Sequence, residues 1–160
     1  MKRLLWRLFW PLLSRFEGGL EVGDVFPDFT LRDTEGRAHS PYDGRRQPRT
    51  ALWFTNLCED CRARLPWLEE LRQGAGERFR ILAVSLLGSE ESLPRQTAAR
   101  CGFPVLLDPE DQVGKRLGLE HPPETCPIHN FFVLDESGRV LFKHHLSALK
   151  PEAFRALWRI

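Results

Sequence analysis

The chain has 160 residues, enough for one domain with a substantial core and too few for two of ordinary size. Hydrophobic residues make up 42% and charged residues 28%, the balance of a soluble globular protein rather than of a disordered or membrane-spanning one. With 23 basic and 22 acidic residues the net charge is +1, which gives no pull toward nucleic acid, and the five tryptophans lie in apolar segments rather than on a base-stacking surface.

The first stretch, "MKRLLWRLFWPLLSRF", is basic and apolar. At helical spacing Leu4, Leu5, Leu8, Phe9, Leu12, Leu13 and Phe16 form a broad apolar face opposite Arg3, Arg7 and Ser14. Arg7 and Pro11 interrupt the apolar part and no small-residue cleavage site follows, unlike a secretory signal. The stretch is also too short and too charged to span a bilayer. It predicts an amphipathic helix over residues 1–16 that rests on a membrane surface, on a partner or on its own domain. Gly18-Gly19 marks the boundary between this segment, 1–19, and a domain over 20–160.

"FTLRDTEGRAHS" reads as a hairpin about a turn from Asp33 to Gly36, and "DGRRQPR" as a loop. Thr50 to Phe54 is an apolar run suited to a buried strand. From Cys58 to Arg72 the leucines 65, 68 and 71 recur at helical intervals, with Gly74 and Gly76 as the stop. "FRILAVSLL" is a second buried strand. A helix is expected to begin at Ser89 and end at Gly102, followed by a strand in "FPVLLD" and a short helix in "QVGKRLGL". "NFFVLD" and "GRVLFKHHL" form a hairpin around "ESG", and "KPEAFRALWRI" is a last helix with Pro151 in its first turn. This order predicts a layered α/β domain whose sheet is parallel at first and antiparallel at the end.

Four cysteines do not make a small secreted disulfide scaffold, and a domain of this size needs no staple. Cys58 and Cys61 lie just past the carboxyl end of the first parallel strand, where α/β sheets place their sites. A helix start favours negative charge, so Cys58 is the expected exposed nucleophile and Cys61, one turn further on, the buried thiol that resolves a mixed disulfide. Glu59 and Asp60 between them disfavour a thiolate while Arg62 and Arg64 oppose the acids; if the acids win, the pair has a reducing poise. Zinc is the competing use of a Cys-x-x-Cys, and it would need two more ligands, for which Cys126 and His129 are the candidates. Their spacing from the dicysteine is unlike that of zinc fingers or ribbons, so no metal is expected. Cys126, directly before Pro127, is open to three readings: a redox partner for Cys58, a metal ligand, or a small buried hydrophobe. His129 could hydrogen-bond a thiolate, act as a base, or be an ordinary loop histidine. Cys101 suggests no role. His144 and His145 are adjacent on an expected edge strand and point to opposite faces.

Together "VGDVFPDFTLRDTEGR", "LWFTNLCEDCRARLPWLEEL", "FRILAVSLL", "FPVLLDPEDQVGKRLGL" and "FFVLDESGRV" resemble the redoxin, or AhpC/TSA, group of the thioredoxin superfamily, from about Leu20 to the C-terminus. This group holds TlpA/ResA-like thiol–disulfide oxidoreductases and peroxiredoxins. The resemblance implies a thioredoxin-like fold, with a central mixed sheet, helices on both faces and an N-terminal hairpin extension. It also implies that Pro66, five residues after Cys61, bends the helix behind the active site.

The two branches differ around Cys58. The peroxiredoxin pattern has a threonine three residues before its cysteine, and Thr55 stands there; Ala51 replaces its proline, and the place of its peroxide-binding arginine falls at His129. The oxidoreductase branch implies a cis-proline beside the dicysteine, so that either Pro127 serves or the site has none. Arg64 stands where that branch often has a glutamate, and Leu52 where thioredoxin has a buried acid. The expectation is a thiol–disulfide oxidoreductase without a bound cofactor, acting on a protein disulfide client and reduced by an upstream thiol donor. The alternatives are a thiol peroxidase and a non-catalytic metal-binding or membrane-associated module. Localisation is left between the cytoplasm, a membrane surface and export with an uncleaved N-terminal anchor.

Overall fold

The structure is a computed structural model that describes residues 19–43, 48–119, 125–127 and 129–157. The expected amphipathic helix over residues 1–16 lies outside the described residues. Five strands, β3 (Arg49–Thr55), β4 (Phe79–Ser85), β5 (Val105–Leu107), β6 (Phe131–Leu134) and β7 (Val140–His144), form one sheet in the order β5-β4-β3-β6-β7. The first three run parallel, while β6 and β7 are each antiparallel to their neighbours. This is the mixed sheet that the order of elements predicts. The parallel pairs require crossovers, which α2 (Leu65–Ala75) supplies between β3 and β4 and α3 (Ser92–Ala98) between β4 and β5.

The central strands are continuous apolar runs because both of their faces are covered. Alternation along β3 sends Ala51 and Trp53 to one face and Leu52 and Phe54 to the other. On the first face they meet Leu65, Leu68 and Leu71 of α2, together with Phe154 and Leu157 of α5 (Pro151–Leu157). Burying each of these leucines is worth roughly 1.5–3 kcal/mol. On the second face lie Phe26, Phe29 and Val113 of α4 (Gln112–Arg116). Phe26 stands 6.3 Å from the Phe54 ring and 5.7 Å from the Phe132 ring, centroid to centroid.

Both edges of the sheet are covered, as a soluble sheet requires. At β7, Val140 donates to the Asp24 carbonyl at 2.9 Å and Gly23 donates to the Val140 carbonyl at 2.8 Å. At β5, the expected hairpin of β1 (Leu31–Arg32) and β2 (Ala38–His39) docks through Thr34, whose N–H reaches the Val105 carbonyl at 3.1 Å. Its turn is organised by the buried carboxylate of Asp33. This accepts the Glu35 and Arg37 N–H groups at 2.9 and 3.0 Å, the Arg37 Nε–H at 3.0 Å, and a contact from His39 Nε2 at 2.8 Å. Burial alone would raise the Asp33 pKa, but His39, the two backbone N–H groups and Arg37 more than offset it and hold it at about 2.

Two elements depart from the sequence expectation. The single helix expected from Cys58 to Arg72 is broken into α1 (Glu59–Arg62) and α2, with Ala63 and Arg64 between them. Pro66 therefore stands in the first turn of α2, where a missing N–H costs nothing, and starts a second helix instead of bending one. The helix expected from Ser89 begins at Ser92, because Glu91 N–H closes a turn onto the Gly88 carbonyl at 3.2 Å just before it. Among the described residues no helix is long and apolar enough to cross a membrane.

Candidate active site

The site begins where β3 ends. Thr55 is fully buried, and its Oγ1 accepts the Leu57 N–H at 2.8 Å; Asn56 Oδ1 accepts the Cys58 N–H at 3.1 Å. These two side-chain bonds fold the backbone into a tight reversal. Leu57, between them, is held at φ +57, a left-handed conformation that costs a leucine roughly 1–2 kcal/mol. Its fully buried side chain fastens the strained residue in the core. The reversal delivers Cys58, half-buried, to the start of α1 and Cys61, fully buried, one turn later.

Asn130 reaches the same place from the sheet. It directly precedes β6, is fully buried, and passes its carbonyl to the Phe54 N–H at 2.8 Å while its own N–H bonds the His144 carbonyl at 3.1 Å. The side chain lies between two partners: Nδ2 donates to Cys61 Sγ at 3.7 Å, and Oδ1 accepts the Leu146 N–H at 2.8 Å. The short turn Leu146–Ala148 is tied in from the other side by Arg64, which donates to the Ser147 carbonyl at 2.7 Å and stacks on Trp67 at 4.8 Å. Arg62 turns back to the Leu57 carbonyl at 2.7 Å. Among the described residues neither guanidinium pairs with Glu59 or Asp60, so the two exposed acids are not neutralised by their neighbours in sequence.

The third sulfur comes from the segment before Pro127. Cys126 Sγ accepts the Asn56 N–H at 3.4 Å, lies 3.8 Å from Thr55 Oγ1, and can donate to Asn56 Oδ1 at 2.9 Å. The sulfurs of Cys58, Cys61 and Cys126 all lie within 4.8 Å of one another. Cys126 is drawn below the ordinary thiol range, first by the Cys61 S–H that donates to it. Burial opposes that shift, and the Asn56 N–H, the Thr55 hydroxyl and Cys58 add to it. Cys61 is driven the other way, by the bond it gives to Cys126 and then by its burial, against a smaller pull from Asn130.

The sequence-expected residues divide accordingly. Cys58, Cys61, Cys126 and Thr55 are brought together, while Pro66 stands outside the cluster, exposed at the start of α2. Pro127 is buried beside the site, yet the described residues contain no cis peptide bond, so the site has no cis-proline there. His129 is exposed and contributes no atom to the sulfur cluster. The place expected to hold a key side chain is filled instead by its neighbour Asn130, which sequence reasoning missed together with Asn56. The available signal was an asparagine directly preceding a strand buried on both faces, where an amide must find partners. Thr55 Oγ1 accepts the Leu57 N–H, and its hydroxyl faces Cys126 rather than bonding Cys58. Three sulfurs could hold a thiophilic ion, but the described residues do not complete a closed four-ligand zinc set.

Residues 22–143 match the AhpC/TSA family. A thiol-disulfide oxidoreductase ResA from Geobacillus thermodenitrificans is 31% identical over 148 residues, covering 81% of this chain and 79% of that relative. Among solved structures, a protein from Chlorobium tepidum described as a thiol:disulfide interchange protein DsbE is similar. It has a TM-score of 0.65 and 26% identity, and the match covers 88% of this chain and 95% of that one. A peroxidoxin, BcpB, from Mycobacterium tuberculosis superposes with a TM-score of 0.68 at 20% identity, over 87% of this chain and 94% of that one, and shares the fold. The chain belongs to the AhpC/TSA family and is a thiol–disulfide oxidoreductase on a thioredoxin-like fold.

Proposed function

We propose that the Cys-Glu-Asp-Cys dithiol reduces disulfides in other proteins. The carrying observation is the asymmetry of the pair: Cys58 is half-buried at the start of α1, whereas Cys61 is sealed one turn behind it under the Asn130 amide. The Cys58 thiolate attacks a client disulfide R–S–S–R′, forms Cys58–S–S–R and releases R′–S⁻. Cys61 then attacks the Cys58 sulfur, R–S⁻ leaves, and two electrons have passed from the dithiol to the client. The chemistry needs no bound cofactor, and an upstream thiol donor restores the dithiol. A reducing poise is supported by Glu59 and Asp60, which no arginine among the described residues neutralises, because negative charge beside Cys58 favours the uncharged disulfide over the thiolate.

The test is the reduction of insulin's interchain disulfides by the fully reduced protein. Wild-type protein is expected to precipitate the insulin chains, Cys58→Ser to be inactive, and Cys61→Ser to be slowed at the resolving step. Inactivity of the wild type with intact thiols would sink the proposal. Hydrogen peroxide is expected to oxidise Cys58 at about the rate of free cysteine, because the Thr55 hydroxyl faces Cys126 rather than Cys58. A rate orders of magnitude higher would transfer the function to the peroxidase branch.

A further inference from the structure

We infer that Cys126 is a third redox thiol, which closes a disulfide with Cys58 and so releases a client bound there without the help of Cys61. The inference rests on the reading that Cys58 forms the mixed disulfide.

Three observations carry it. First, the Cys126 sulfur shares a space 4.8 Å across with those of Cys58 and Cys61, and both Cys58 and Cys126 are half-buried rather than sealed. A disulfide needs sulfurs about 2.05 Å apart. Cys126 lies outside every helix and strand of the described residues. Second, its surroundings are those of a reacting thiol rather than of a small hydrophobe. Asn56 Oδ1 accepts the S–H of the neutral form at 2.9 Å, while the Asn56 N–H at 3.4 Å and the Thr55 hydroxyl at 3.8 Å face the sulfur as donors to a thiolate. Third, Cys61 is fully buried beneath the Asn130 amide, in a place that disfavours its charged form. Attack on a mixed disulfide requires a thiolate, and of the two thiols behind Cys58 it is Cys126 whose setting supports one.

The step balances without further reagents. The Cys126 thiolate attacks the Cys58 sulfur of Cys58–S–S–R, a Cys58–Cys126 bond forms, the bond to R breaks, and R–S⁻ leaves to take a proton from water. Cys61 keeps its proton and remains free. It can afterwards displace Cys126 from Cys58, which carries the disulfide to the Cys58–Cys61 pair and regenerates the Cys126 thiolate. The buried acid that thioredoxin keeps is replaced by Leu52 here. A second attacking thiol removes the need to deprotonate Cys61 before the client can leave.

The full chain, reduced and freed of reductant, is mixed with oxidised glutathione as the probe disulfide. Wild type should release two glutathione molecules per chain. Cys61→Ser should also release two, at a rate within about tenfold of wild type, and peptide mapping should find Cys58 joined to Cys126. Adding Cys126→Ser should stop the reaction at a stable mixed disulfide with one glutathione released. Cys61→Ala, which leaves no polar group in the buried position, serves as a second background. The inference falls if both Cys61 variants halt at one glutathione per chain. A wild type that releases none, with its thiols titratable, overturns the reductase reading and this inference with it; release by wild type alone overturns only this one.

Discussion

On one face of the central sheet, Leu52, Phe54, Leu82, Val84, Phe132 and Leu134 pack against Phe26, Phe29 and Val113, with aromatic rings meeting edge to face. On the other, Ala51, Trp53, Ile81, Ala83, Phe131 and Val133 share their layer with the Cys61 sulfur and lie against Cys58 and Cys126. The same strands supply both faces by simple alternation, so the difference comes from what covers each. The aromatic face gains dispersion and hydrophobic burial with few polar groups to satisfy. The sulfur face tolerates a strained Leu57, a buried Asn130 amide and a Trp53 Nε1–H with no hydrogen-bond partner among the described residues. An unsatisfied buried donor costs about 1–3 kcal/mol, so this face carries a polar cost beside its chemistry. Both sides of β3 are packed apolar cores, and the chemistry lies on one of them.

Two substitutions should separate the faces most clearly. Cys58→Ser should lower insulin reduction by on the order of 10³-fold or more, about 4 kcal/mol of transition-state stabilisation, and leave the thermal midpoint where it was. Phe54→Ala should do the reverse. It empties a ring site enclosed by Phe26, Phe29 and Phe132 and should cost about 3–5 kcal/mol in denaturant unfolding. The folded fraction of that variant should keep the wild-type rate of Cys58 alkylation. Equal damage to stability and reactivity by either substitution would show that the faces are coupled through β3.

How far the sequence made this legible follows the same division. The strands, their order and both hairpins could be read because apolar runs, turn residues and helical leucine spacing are local signals. The Cys58–Cys61 pair was legible from its place after a buried strand. The rest of the site depends on contacts remote in sequence: Asn130 lies 69 residues from Cys61 and Cys126 lies 70 from Asn56. The place that the family resemblance assigns to a key side chain falls at His129, one residue from the amide that enters the site, and one residue along an extended chain reverses the face that a side chain meets. The break between α1 and α2 was also hidden, since Leu65 continues the helical spacing across it and only Pro66 hints at a new start.

Asn130 is where the two properties meet, and it sharpens the comparison. Asn130→Ala strands the Leu146 N–H and removes the donor to Cys61 Sγ. We expect a loss of about 1–3 kcal/mol in denaturant unfolding. Because the Asn130 bond favours the Cys61 thiolate, its removal should push the Cys61 pKa higher still. Resolution by Cys61 should then slow, and in a Cys126→Ser background the glutathione mixed disulfide on Cys58 should accumulate. Cleaner resolution in the variant would contradict the positioning role given to Asn130.

The smallest expected effect lies away from the sulfurs, in the hairpin that covers β5. The Asp33 pKa is held at about 2, below the usual 3.8, so the unfolded chain binds the proton more tightly than the folded one. The stabilisation from its ionised form is therefore fully present above about pH 4 and is lost as the pH falls toward 2. Asp33→Asn keeps the turn's shape but gives up the charge that Arg37 and His39 meet. The variant should be less stable than wild type near pH 6, and the gap should narrow steadily below pH 4 in denaturant titrations at fixed salt. The rate of Cys58 alkylation should be the same in both, because the Asp33 turn bonds to β5 and not to the end of β3 from which the site is built. A gap that stayed constant with pH would mean that the carboxylate's role is steric, and that the hairpin is held on the sheet by its backbone bonds alone.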